Sequence, residues 1–96
     1  MFLNVSDHLQ FTTDVDKILF EARNKFADEG ETAAWTAGLE IAVLIDYYSQ
    51  TEDDAYEMLE EVEIGMDNLP DELKCTIYNK ILEAIQATAA NGRWAT

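Results

Sequence analysis

Basic residues are scarce in this chain. Six Lys and Arg face 20 Asp and Glu among 96 residues, which gives a formal net charge of −14. A chain so poor in bases has no basic patch with which to hold nucleic acid or an anionic membrane. The single cysteine, Cys75, excludes an intramolecular disulfide framework and a multi-cysteine zinc site. In a helical pattern it reads as a small apolar residue in a reducing compartment. Four Gly and one Pro are too few for the turns of an all-β fold. The longest apolar run, Ile41 to Ile45, is bounded by Glu40 and Asp46, so no segment is expected to span a bilayer.

Chemistry is equally thin. The only histidine is His8, which excludes a two-histidine metal site. There is no Gly-rich phosphate loop, no His-Glu-x-x-His and no Gly-x-Ser-x-Gly. Glu52-Asp53-Asp54 lacks the alternating ligands and central glycine of a calcium loop. Glu57, Glu60 and Glu61 lack the Glu-x-x-His pairs of a di-iron bundle. No catalytic residue, metal site or cofactor is therefore expected, and the chain reads as a non-enzyme. Gly65-Met66-Asp67-Asn68-Leu69 resembles the phosphopantetheine attachment motif of acyl carrier proteins. The serine of that motif is here Asn68, which cannot be esterified, and the segment lies too late in the chain, so a working carrier is excluded.

What is present is apolar residue content, 48% of the chain, too much for an acidic disordered tail. The pattern is helical four times over. Thr13 is placed to cap a first helix, with Asp16 three residues on. Val15, Ile18, Leu19, Ala22 and Phe26 follow at helical spacing, and Gly30 supplies a left-handed stop. Ser6 to Phe11 reads as a short helical turn packing Leu9 and Phe11, and the first dozen residues stay open. A second helix covers about Thr32 to Ser49. A third starts at Thr51, with Asp54 three residues on, buries Ala55, Met58, Leu59 and Val62, and ends at Gly65. A fourth opens at Asn68-Leu69-Pro70-Asp71, carries Leu73, Ile77, Ile81 and Ile85, and stops at Asn91-Gly92. The fold class expected for residues 1–96 is one all-α domain, a compact four-helix bundle-like arrangement with short connections and antiparallel sequential helices.

The second helix is apolar nearly all round, which leaves two readings. It is a central helix wrapped by the other three, or one side faces a second copy of the chain, with Trp35, Ile41, Ile45 and Tyr48 at the contact. Asp46 falls on its apolar side, where a tyrosine or a backbone group is the expected partner.

The negative charge is concentrated. Residues 40–73 hold twelve acids and no base, whereas residues 74–96 hold one acid and three bases. The dense part is Glu52, Asp53, Asp54, Glu57, Glu60, Glu61 and Glu63 on the third helix, continued by Asp67, Asp71 and Glu72. Like charges at i, i+4 cost a helix about 0.2–0.5 kcal/mol per pair, and no base offsets them here. A solvated face usually mixes signs. Carboxylates one turn apart lie about 5.4 Å from one another along the axis, a spacing of the same order as the phosphates of one nucleic-acid strand. Such a row is attracted to a basic groove by the field that attracts DNA. Tyr56 flanks the row, placed to stack on a guanidinium or to pack at the edge of the core.

In size, charge and helix content the chain resembles phage-encoded acidic DNA-mimic inhibitors of host defence, of the anti-restriction and anti-CRISPR type. Ala55-Tyr56-Glu57-Met58-Leu59 is similar to a short helical stretch of one such anti-restriction protein. The family tends to be dimeric and more acidic still, and the bases Lys74, Lys80 and Arg93 of this chain depart from it. The resemblance implies a non-enzymatic inhibitor. Its expected partner is a basic nucleic-acid-binding protein such as a host-defence nuclease, a CRISPR effector, a polymerase or a nucleoid protein. The alternative is a small adaptor or subunit that binds through the apolar second helix, its acidity serving solubility. Met1 to Asp7 lack the basic start and apolar core of a secretory signal. The expected location is the cytoplasm, that of the host if the protein is viral.

Overall fold

The computed structural model describes residues 4–95. Among them are four helices and no strand: α1 (Val5–Glu29), α2 (Glu31–Tyr48), α3 (Glu52–Gly65) and α4 (Asp71–Ala90). None is long and apolar enough to cross a membrane.

The first helix begins well before the expected cap at Thr13. Asn4 is the cap, its side chain accepting from the Asp7 N–H at 2.8 Å and donating to the Asp7 carboxylate at 3.2 Å. The polar stretch that follows is helical because it finds partners within the helix. The Thr12 hydroxyl donates to the His8 carbonyl at 2.8 Å, and Gln10 donates to Asp14 at 2.9 Å. Thr13 lies mid-helix, exposed. Phe11 anchors this end, fully buried and edge-on to Tyr48 with ring centroids 6.0 Å apart. Leu9, by contrast, faces solvent.

One residue links α1 to α2. Gly30 adopts φ 58° and ψ −132°, a conformation outside the left-handed helical well that side chains other than glycine's rarely reach. Thr51 opens α3 with the expected capping box. Its hydroxyl accepts from the Asp54 N–H at 3.1 Å, and the Asp54 carboxylate accepts from the N–H of Thr51 at 3.2 Å and of Gln50 at 3.1 Å. Pro70 precedes α4, where its missing N–H costs nothing. Leu73, Ile77, Ile81 and Ile85 line the buried side of that helix.

Sequential helices run antiparallel. The main contacts are α1 on α2, α2 on α4 and α3 on α4. Gly38 meets Ile77 and Lys80, and farther along both helices Asp46 and Ser49 meet Arg93, so α2 and α4 run in the same direction. His8 of α1 reaches Glu61 of α3. α2 thus packs on both α1 and α4, while α3 packs chiefly on α4, with a smaller contact to α2.

Residue size decides which side of α2 faces in. Its buried residues are Ala33, Ala34, Ala37, Gly38, Ile41 and Ile45. Ile41 and Ile45, expected on a surface for a second copy, are completely covered by the chain's own core. Tyr48, expected there as well, is half-buried against that core. A Cβ built on Gly38 falls 2.6 Å from Lys80 Cβ and 3.2 Å from the Ile77 carbonyl oxygen. Small side chains let the two helices approach, while Leu39, Val43 and Tyr47 of α2 are turned toward solvent.

The C-terminal end of α2 is held by Arg93. Its Nε donates to the Asp46 carboxylate at 3.0 Å, and Nη2 donates to the carbonyls of Asp46 and Ser49, each at 3.1 Å. A cation at terminal carbonyls satisfies groups the helix cannot, and opposes the negative end of the dipole. Asp46 thus has an arginine as its side-chain partner where a tyrosine or a backbone group was expected.

Gly38→Ala tests the close approach. Helix propensity alone favours alanine by about 1 kcal/mol, while overpacking at a backbone contact costs about 1–3 kcal/mol. A lowered Tm is expected, with a larger drop for Gly38→Val. Gly65→Ala, where an added Cβ meets nothing within 4 Å, should leave Tm unchanged or raised. A more stable Gly38→Ala would contradict the packing.

Candidate functional site

The acidic residues are sorted by the helix that carries them. The apolar line Ala55, Met58, Leu59 and Val62 is buried, which turns Asp53, Glu57 and Glu60 directly outward on α3. Successive members of this line are about one turn apart. Among the described residues no Lys or Arg forms an ion pair with an α3 carboxylate. The two pairs that do involve Lys or Arg are Lys80–Glu83 at 4.0 Å and Arg93–Asp46 at 3.0 Å.

The remaining acids have additional duties. Asp54 is half-buried, and its carboxylate is engaged in the capping box. Glu52 sits beside the Tyr56 phenol. Burial first, then this carboxylate, holds that phenol above its usual 10.0. Tyr56 packs against the core from a half-buried position, so its ring is only partly available to a guanidinium. Tyr48 is raised in the same direction by burial, then by Asp14, Asp7 and Tyr47.

Glu61 turns toward α1, where both its carboxylate oxygens lie within hydrogen-bond reach of His8 Nε2, at 2.9 and 3.0 Å. This link closes one end of a groove of about 300 Å³ between α1 and α3. Phe11, Val15 and Val62 line it, with Asp16 and Glu61 among its polar residues. Glu63 lies on the other flank of α3, in a shallow depression shared with Lys74, Cys75 and Tyr78 of α4. Asp67, Asp71 and Glu72 are exposed at the turn beyond α3 and in the first turn of α4. There the dipole of α4 favours Asp71 and Glu72. The acidic surface thus runs the length of α3 and wraps onto α4. Asp53, Glu57 and Glu60 form its centre, and Asp54 contributes least.

Of the four residues expected on a self-association surface, only Trp35 is exposed. The exposed apolar residues of α2 are Trp35, Leu39, Val43 and Tyr47. They follow the spacing i, i+4, i+8, i+12, a signal present in the sequence that total hydrophobicity conceals. In the carrier-like segment, Met66 is buried while Asn68 is exposed in the turn after α3. Among the described residues no group of three His, Cys, Asp or Glu is placed to hold a metal ion.

An unneutralised row carries a stability cost that salt relieves. Tm is expected to rise as NaCl increases from about 10 mM to about 0.5 M. Glu57 has like charges at Asp53, Glu60 and Glu61, so Glu57→Lys turns three repulsions into attractions. It should gain about 0.3–1 kcal/mol at low salt. A salt-insensitive Tm would show that the row is screened already.

The two raised phenols give an alkaline signature. A folded-state pKa above the unfolded value contributes stability that is fully present below about pH 10 and is lost as pH rises through the folded value. Melts between pH 9 and 11.5 should show a loss that is smaller in Tyr56→Phe than in the wild type. Equal losses in the two proteins would contradict the environment of Tyr56.

Comparison with family models, curated proteins and solved structures finds no match to this chain.

Proposed function

We propose that the protein is a non-enzymatic inhibitor that occupies the nucleic-acid-binding groove of a basic partner with the outer face of α3. The carrying observation is the exposed line Asp53, Glu57 and Glu60, flanked by Glu61 and Glu63, with no Lys or Arg paired to it. Charges left unpaired at a cost to the helix are available to a cationic surface. Because α3 is already folded, little ordering entropy opposes binding. Complementary potential also speeds encounter. The partner class is a nuclease, CRISPR effector, polymerase or nucleoid protein, and neither direct nucleic-acid binding nor membrane binding is part of this reading. The protein would act in the cytoplasm that holds such a partner.

A second reading is an adaptor that binds through α2. The exposed Trp35, Leu39, Val43 and Tyr47 speak for it. Binding through that face should persist at about 0.5 M salt, where the Debye length is only a few ångströms.

The protein used as bait in a bacterial lysate should capture a basic nucleic-acid-binding protein at about 50 mM salt and release it near 0.5 M. Duplex DNA should compete for the captured partner. Glu57→Lys combined with Glu60→Lys should cut capture at least tenfold, although the variant folds and is no less stable than the wild type. Simultaneous binding of DNA and this protein to the partner would sink the mimicry reading.

A further inference from the structure

Among the described residues, the outer face of α2 bears the longest row of exposed large apolar side chains. Trp35 is 42% exposed, Leu39 54%, Val43 68% and Tyr47 77%. Single exposed hydrophobic residues are ordinary, but four in register on one helix form a patch of the kind that marks a contact. α1 and α4 make the main contacts with α2, and α3 touches it only briefly. The row is therefore left open by the fold itself.

We infer that this row is the seam of a twofold homodimer. Three observations select a second copy as the occupant. The first is symmetry. The row is centred on the level of Ile41, so a twofold axis there sets Trp35 against Tyr47 of the second copy and Leu39 against its Val43. An isologous contact requires such self-matching. The second is ridge geometry. Residues four apart form the ridge that interdigitates with its own kind, which gives two α2 helices crossing at about −50°.

The third is charge. Around the row acids and bases are interspersed: Lys17 shares a depression with Asp14, Glu21, Glu40 and Val43. Lys80 lies 5.2 Å from the centre of the Trp35 ring and 4.0 Å from Glu83. Asp46 is matched by Arg93. A chain of net charge −14 meets a copy of itself at least cost where bases lie among its acids, and α3 offers no such place. A standard interface takes roughly 800 Å² per partner, so the apolar row would form the centre of the contact and the polar residues beside it the rim.

Light scattering on the purified chain at about 20–100 μM in 0.15 M salt should give about 22 kDa, twice the 10.9 kDa of one chain. Leu39→Lys combined with Val43→Lys lowers the net negative charge, which weakens general repulsion. The pair should nevertheless shift the mass to 10.9 kDa, with helical circular dichroism unchanged because both side chains are exposed. Phe20→Lys, on the exposed surface of α1, should leave the dimer intact. A monomeric wild type at both 0.15 and 0.5 M salt, or a dimer that survives the α2 pair, would overturn the inference. Neither result bears on capture through α3, which Glu57→Lys and Glu60→Lys read separately.

Discussion

The approach of α2 to α4 at Gly38 governs the surface of the whole molecule. Two helices come close only where side chains are small. α2 meets that condition with Ala33, Ala34, Ala37 and Gly38, all buried. With the small residues inward, helical period fixes Trp35, Leu39, Val43 and Tyr47 outward. Packing and surface are therefore one choice on this helix. The energy that seats α2 comes from contact density against Ile77 and Ile81, together with the transfer of Ile41 and Ile45. The largest apolar side chains of the helix contribute comparatively little to it.

The same approach displaces α3. With α4 in direct contact with α2, α3 is left to pack chiefly on α4, and it touches α2 only briefly. Its outer side is free to carry Asp53, Glu57 and Glu60, and its flanks carry Glu61 and Glu63. Good caps compensate for the repulsion along it. The Thr51–Asp54 box satisfies the first turn, where acidic residues also suit the dipole. Four fully buried side chains, Ala55, Met58, Leu59 and Val62, hold the helix down from beneath. A charged helix of this kind is stable because its apolar side and its N-terminus are well served.

Helix content was legible in the sequence wherever apolar period and cap chemistry agreed. α3 shows this from Thr51 to Gly65, and so does the Leu73-Ile77-Ile81-Ile85 line of α4. The start of α1 was hidden because Phe11 is the one buried residue of its first two turns, Val5 and Leu9 facing solvent, and Asn4 caps as well as Thr13 could. The acidic line on α3 was legible too, since charge and period both survive in the sequence. Its division of labour was not. The links of Glu52 to Tyr56 and of Glu61 to His8 depend on side-chain directions and on a contact 53 residues distant. The inward side of α2 was misjudged for a physical reason. Hydrophobicity favours burying the largest residues, whereas close packing between helices favours the smallest. Where the two conflict, neighbouring helices decide, and a single chain read alone does not say which helix will be the neighbour.

The two open faces do not compete for the same ground. The apolar row lies on α2 and the acidic row on α3, two helices that touch only briefly. Charges on exposed surfaces are screened over about 8 Å at physiological ionic strength. Two chains joined along α2 would leave both α3 rows outside the seam. Such a pair would present two acidic faces. A partner with a single basic groove would take one face, and a partner that is itself twofold or repeated would take both. In the second case the gain comes from effective concentration and needs no new contact. The arrangement follows from one local requirement, small residues on α2 where α4 packs, and it leaves an exposed apolar row and an unpaired acidic row on different helices of the same small bundle.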